Sequence, residues 1–288
     1  MPGTLPTFFI IGAPKAGTTS FHHYLEQHPE IQMSAVKEPS FFAPPPDDLH
    51  VKRGISRLDR YEQLFDPGVA VRGEASTNYA EYPFREGVPE RIAQYVPDAK
   101  LIYLVRDPIK RTVSHYHHLV ANGAERRSLT EICGDLSDPR TPCVCASLYA
   151  LQLELYLRYF PQQRVLVIDQ AALLSDRRAV LRSVFSFLEV DESFDCPQFD
   201  VEFLRGSEQR RYPPWLARFL ERTIRPRIWW LPPRLRRLGR NYGEQLFLQP
   251  LETTELDADL RSRLQELYSG EVERLRDLTG EKFPSWSA

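Results

Sequence analysis

A chain of 288 residues, 42% hydrophobic and 26% charged with a net charge of −2, can bury about three quarters of its extended-chain surface in one large domain. That near-neutral balance gives no ground for a nucleic-acid partner or for general attraction to a membrane. The apolar run Phe8–Gly12 is too short for a transmembrane segment and lacks the shape of a signal peptide, so a cytoplasmic protein is expected, starting at Met1.

Short β-rich runs precede helical patterns, which predicts an α/β fold with a mainly parallel sheet flanked by helices. The first strand is expected over Thr7–Ile11, followed by a helix over Thr18–Gln27 that turns Phe21, Tyr24 and Leu25 inward and stops at His28-Pro29. Weaker strands are read over Ile31–Ser34 and Val69–Arg72. A strong one covers Lys100–Val105. After it, Asp107 stands at an N-cap position and Pro108 at the first helical position, with Ile109, Val113, Tyr116 and Val120 on one face. A helix over Ser147–Phe160, a strand over Arg164–Ile168, a helix over Arg178–Leu188 and a long one over Asp257–Leu278 complete the pattern. One domain over 1–288 is expected. Within it, residues 205–245, rich in Arg, Pro and Trp, break the rhythm and are read as a helical lid. The four cysteines, Cys133, Cys143, Cys145 and Cys196, lack metal spacing and read as reduced thiols.

The turn after the first strand, Gly12-Ala13-Pro14-Lys15-Ala16-Gly17-Thr18-Thr19-Ser20, aims backbone N–H groups and a helix N-terminus at its own concavity, an arrangement suited to phosphate or sulfate. Its glycine spacing matches G-x-x-x-x-G-K-[ST], but Thr18 replaces the lysine and the only cation is Lys15, inside the loop. A second anion signal is Arg106-Asp107-Pro108-Ile109-Lys110-Arg111-Thr112-Val113-Ser114. Arg106 ends an apolar strand, and Ser114 lies two turns into the next helix, placed to share one phosphate.

These two segments resemble the donor-binding motifs of sulfotransferases that use 3′-phosphoadenylyl sulfate, and Lys37-Glu38-Pro39-Ser40-Phe41-Phe42 and Gly73-Glu74-Ala75-Ser76-Thr77-Asn78-Tyr79 are similar to two blocks of the heparan-sulfate-type branch. The Trp286 ending matches as well. The resemblance implies that Lys15 contacts the 5′-phosphate and the bridging oxygen, with Ala16, Gly17, Thr18, Thr19 and Ser20 around that phosphate. It assigns the 3′-phosphate to Arg106 and Ser114, and Arg210 and Arg211 are carried over from a looser match. The product would be 3′,5′-bisphosphoadenosine. Two departures point away from a heparan-like polymer: Ala75 stands where the branch carries lysine, and its disulfide-bearing region has no counterpart.

Sulfonyl transfer needs a group to take the acceptor's proton. By resemblance that base is Glu38; the plain alternative is a Lys37–Glu38 loop ion pair. Glu74 is the second choice, or a residue orienting Lys15 or the acceptor, with Ser76 and Thr77 as hydroxyl contacts. His22 and His23, like His115, His117 and His118, are read as packing or surface residues, and a histidine base stays open. No metal is expected, because lysine and arginine supply the charge and no carboxylate pair is placed for magnesium. The acceptor would be a small molecule or carbohydrate: a glycan, glycolipid or alcohol hydroxyl. Hydroxyl versus amine, oligomeric state and peripheral membrane contact stay open. The alternatives are a P-loop nucleoside or nucleotide kinase, and a nucleotide-binding protein without catalysis.

Overall fold

A computed structural model describes residues 4–43, 54–121, 124–136, 138, 141–201, 210–211, 249–250 and 256–288. Five parallel strands, β1 (Phe8–Gly12), β2 (Ile31–Met33), β3 (Val71–Ala75), β4 (Lys100–Val105) and β5 (Val165–Asp169), form one sheet in the order β2-β3-β1-β4-β5. The described helices are α1 (Thr18–Leu25), α2 (Leu58–Glu62), α3 (Val88–Tyr95), α4 (Pro108–Ala121), α5 (Leu129–Ile132), α6 (Pro142–Cys145), α7 (Tyr149–Leu157), α8 (Gln170–Ser175), α9 (Arg177–Leu188) and α10 (Ala258–Thr279).

The central strand β1 is buried along its whole length, as a strand covered on both faces must be, so its sequence is continuously apolar rather than alternating. From β1 the chain crosses to β2 and β3 on one side, then returns to β4 and β5 on the other. The switch in direction therefore falls between β1 and β4, at whose carboxyl ends an open α/β sheet has its crevice.

The expected strands and helices are present, with shifted boundaries. Strand β3 starts and ends later than Val69–Arg72 because Gly73 and Glu74 belong inside it. Gly73 passes so close to the Phe8 ring that a Cβ would overlap it. Asp107 caps α4, accepting the Lys110 N–H at 2.9 Å. One face of α4, including Ile109 and Tyr116, packs with Leu260, Leu264 and Tyr268 of α10 in a second apolar cluster. All four cysteines are free, and Cys133, Cys143 and Cys145 are buried.

Of the expected lid, the described part is the backbone of Arg210–Arg211, a strand antiparallel to Gln249–Pro250. The stretch Trp215–Arg240 lies outside the described residues. Among the described residues no helix is long and apolar enough to cross a membrane.

Candidate active site

The loop after β1 is shaped by close packing at one end and a left-handed residue at the other. A Cβ on Gly12 would lie 2.9 Å from that of Ala80 and 3.1 Å from the Tyr103 ring, so the loop leaves the strand where only glycine fits. Gly17, at φ 94°, is the N-cap of α1; no side chain caps this helix and no acid lies in its first turn. The first N–H groups of a helix have no partner within it, so an uncapped start offers donors and partial positive charge to an anion. Ala16 does not join them: it is buried and donates its N–H to the Ala13 carbonyl at 3.1 Å. Thr18 is also buried, whereas the Thr19 hydroxyl accepts from Lys37 Nζ at 2.8 Å. Ser20 lies on the same first turn, half-buried.

Because β1 and β4 are neighbours, the residue after β4 meets the loop. Arg106 donates Nη1–H to the Lys15 carbonyl at 3.1 Å, while its own backbone is held by the Tyr149 hydroxyl, which donates to the Arg106 carbonyl at 2.8 Å. Lys15 itself has a left-handed backbone, φ 70°. Non-glycine residues held there carry strain, and such strain concentrates at functional sites. Burial first, then the charges of Arg106 and Lys37, hold the Lys15 ammonium below the usual lysine range. Among the described residues no carboxylate pairs with it. Positive charge is thus gathered at the head of the crevice ahead of any anion.

Arg111, the second arginine of the Arg-x-Pro-x-x-Arg pattern, is fully buried and acts as a brace. It donates to the Pro14 carbonyl at 3.3 Å, to the Ser147 hydroxyl and to the Cys143 carbonyl. Its Nη1 also meets His115 Nδ1 at 3.2 Å. A guanidinium can only donate, so His115 is the acceptor there and is neutral; burial is the main cause that pushes its pKa well down. Ser114, His115 and His118 follow Arg111 by three, four and seven residues, which places them on the loop-facing side of α4. His118 lies near enough to Lys15 and Glu38 to feel both: burial lowers its pKa, Lys15 lowers it further, and Glu38 opposes. His22, by contrast, is buried on α1 with a pKa pushed down to about 4, chiefly by burial, as a packing role requires.

Facing the loop is the segment from Lys37 to Phe42. Its N–H groups tie it to the end of β3: Glu38 N donates to the Ala75 carbonyl at 3.1 Å, and Ser40 N to the Ser76 hydroxyl at 3.0 Å. Glu38 (φ 57°) and Ser40 (φ 53°) are both left-handed. The Glu38 carboxylate is exposed, accepts from Thr77 Oγ1 at 3.4 Å, and pairs with Lys37 Nζ at 3.3 Å. The adjacent ion pair of the alternative reading is present, and through Lys37 it extends to Thr19 on the donor-loop side.

Glu74 is placed differently from the expectation. It is fully buried, with one oxygen accepting from Ser76 and Tyr79, each at 2.6 Å, and the other from Tyr61. Burial raises its pKa to about 7 despite these donors. It faces an aromatic group containing Phe42, Tyr61 and Tyr79, away from solvent. Of its expected hydroxyl neighbours, Ser76 serves Glu74 itself and Thr77 serves Glu38.

Spacing missed two contributors. Lys37 was visible only as half of a charge pair, and the loop-facing side of α4 was hidden until the helix was placed. The signal for α4 was the interval Arg111, His115, His118. Among the described residues, no three His, Cys, Asp or Glu side chains converge as a metal site would need. The side chains of Arg210 and Arg211 lie outside the described structure.

A profile of the Sulfotransferase domain matches residues 5–212. The chain is 29% identical over 249 residues to human bifunctional heparan sulfate N-deacetylase/N-sulfotransferase 3, covering 73% of this chain and 27% of that protein. It is 30% identical over 189 residues to mouse heparan sulfate glucosamine 3-O-sulfotransferase 3B1, covering 64% of this chain and 46% of that one. It thus spans between a quarter and a half of these relatives' length. The crystal structure of a sulfotransferase from Alicyclobacillus acidocaldarius superposes with a TM-score of 0.68 at 27% identity, covering 99% of both chains.

Proposed function

The chain belongs to the sulfotransferase family, and from that premise we propose that it moves a sulfonyl group from 3′-phosphoadenylyl sulfate to an acceptor, with its residues dividing the work as follows. The observation that carries the assignment is the contact between the two anion-binding segments. Arg106 hydrogen-bonds the Lys15 carbonyl at 3.1 Å, so anchors for two phosphates of one nucleotide adjoin each other.

The chemistry of this donor set suits such a nucleotide. The uncapped α1 start with Gly17, Thr18, Thr19 and Ser20, together with Lys15, takes the 5′-phosphate. Arg106 and Ser114 take the 3′-phosphate. A bisphosphorylated nucleotide needs both anchors, whereas a kinase would need a lysine at Thr18 and a magnesium acid.

The donor supplies a sulfonyl group on a good leaving oxygen. Glu38, exposed across the crevice, accepts the proton from the acceptor O–H or N–H while the new bond to sulfur forms. Lys15 is read as the partner of the phosphate oxygen that receives the electron pair of the broken S–O bond, where a cation fixed in advance stabilises the developing charge. The acceptor is a carbohydrate or small-molecule hydroxyl or amine. Two heparan-modifying relatives favour a sugar, while Ala75 argues against a heparan-like polymer.

The test uses labelled donor with a panel of glycans, glycolipids and small alcohols, read by mass spectrometry. Glu38→Gln is expected to leave donor affinity intact and lower turnover by about two to four orders of magnitude. Unchanged turnover in the variant would remove Glu38 as the base.

A further inference from the structure

Lys37 bonds both walls of the crevice. Its Nζ donates to Thr19 Oγ1 at 2.8 Å on the donor side and lies 3.3 Å from Glu38 Oε1 on the acceptor side. It is not a freely waving surface lysine: 29% of its side chain is exposed, against 46% for Glu38. Three further observations bear on its purpose.

Glu38 has few other restraints on its carboxylate. Thr77 supplies a long hydrogen bond of 3.4 Å, and Ala75, whose carbonyl holds the Glu38 N–H, brings no charge. His118 is near enough to feel the Glu38 charge, and Lys37 bonds the carboxylate directly. Second, Lys37 stands close enough to Lys15 that the two ammonium charges oppose each other. Two like charges held together in a half-buried site are unfavourable until an anion enters between them. Third, Thr19 must give its hydroxyl oxygen to Lys37, which leaves its O–H free to turn toward an anion at the α1 start.

We propose that Lys37 is a positioning residue that joins donor binding to proton abstraction, fixing the Glu38 carboxylate toward the acceptor and holding Thr19 toward the transferring anionic group. This rests on the reading of Glu38 as base and of the α1 start as the donor site. Its consequence is that Lys37 acts largely through Glu38, so the two residues are energetically coupled rather than independent.

A double-mutant cycle tests this. Lys37→Met, Glu38→Gln and the double variant are assayed with 3′-phosphoadenylyl sulfate and the panel acceptor turned over fastest. Binding of 3′,5′-bisphosphoadenosine is followed by calorimetry. Lys37→Met is expected to lower kcat by about tenfold to a hundredfold, the worth of one charge-assisted contact. Lys37→Arg should recover to within about threefold, since it restores the charge and the donors. In the Glu38→Gln background the same Lys37→Met change should cost less than about threefold, because its main object is gone and only its hold on Thr19 remains.

A loss as large in that background as in the wild type would overturn the inference while leaving Glu38 as base. Full activity in Glu38→Gln would instead remove the base assignment and this inference with it. If Lys37→Met does not fold, Lys37→Gln gives the same cycle with a side chain that keeps a donor to Thr19. There too, independent losses would defeat the proposal.

Discussion

Glu74 and Glu38 lie at the same end of the sheet, yet one is fully buried and the other exposed. Taking a carboxylate out of water disfavours its charge, and three hydroxyl donors only partly offset this, so the Glu74 pKa stands at about 7. A folded-state pKa above the unfolded value of 4.5 means the folded protein holds this proton more tightly. The resulting stability is fully present below pH about 4.5 and is lost as pH rises through about 7. Between pH 5 and 8, urea denaturation of the wild type should fall by about 2–3 kcal/mol relative to Glu74→Gln. Comparing the two proteins at each pH cancels contributions from other acids, such as Glu81 and Glu271, whose pKa values burial also raises. A constant difference across that range would show that Glu74 titrates alike in both states. The residue could not be placed from sequence because Gly73-Glu74 reads as the end of a strand. What keeps it inside is Tyr61, on a short helix with no strong pattern of its own.

Among the elements, α4 was legible and the tail after α10 was not, for a reason of distance along the chain. Asp107 and Pro108 announce a helix start because capping is local: the acceptor and the N–H it serves are three residues apart. The other Asp107 oxygen accepts both the N–H and the hydroxyl of Ser287, at 2.8 and 2.7 Å, a contact across 180 residues that no spacing rule reveals. Next to it, Trp286 donates to Asp169 at 3.1 Å, stacks on Phe283, and lies against Tyr149, whose hydroxyl holds Arg106. The tail thereby braces the turn that carries Arg106, the residue proposed to bind the 3′-phosphate. Trp286→Ala combined with Ser287→Ala should weaken 3′,5′-bisphosphoadenosine by about tenfold, a loss in keeping with two or three hydrogen bonds. Adenosine 5′-phosphate, which lacks the 3′ group, should change by less than about threefold. Equal losses for the two nucleotides in calorimetry would confine the tail to general stability.

For the whole molecule, the strand order explains how two sequence motifs some ninety residues apart come together to form the proposed site for one ligand. The chain leaves β1 for one side of the sheet and returns through β4 on the other, so the loop at Lys15 and the turn at Arg106 open onto the same crevice. The parallel sheet and both motifs were legible because each is built from a contiguous apolar strand and the turn that follows it. The pairing of Lys37 with Thr19, and the seclusion of Glu74, come from contacts between elements and had to be seen in three dimensions. The central claim is that this crevice holds a nucleotide phosphorylated at both the 5′ and 3′ positions. A thermal-shift comparison of 3′,5′-bisphosphoadenosine with ADP tests it most directly. At about 100 times its dissociation constant a ligand stabilises by about 2.7 kcal/mol, which for a chain of this size raises Tm by about 4–5 °C. The account predicts that rise for 3′,5′-bisphosphoadenosine and only a small fraction of it for ADP at the same concentration; equal shifts from the two nucleotides would contradict it.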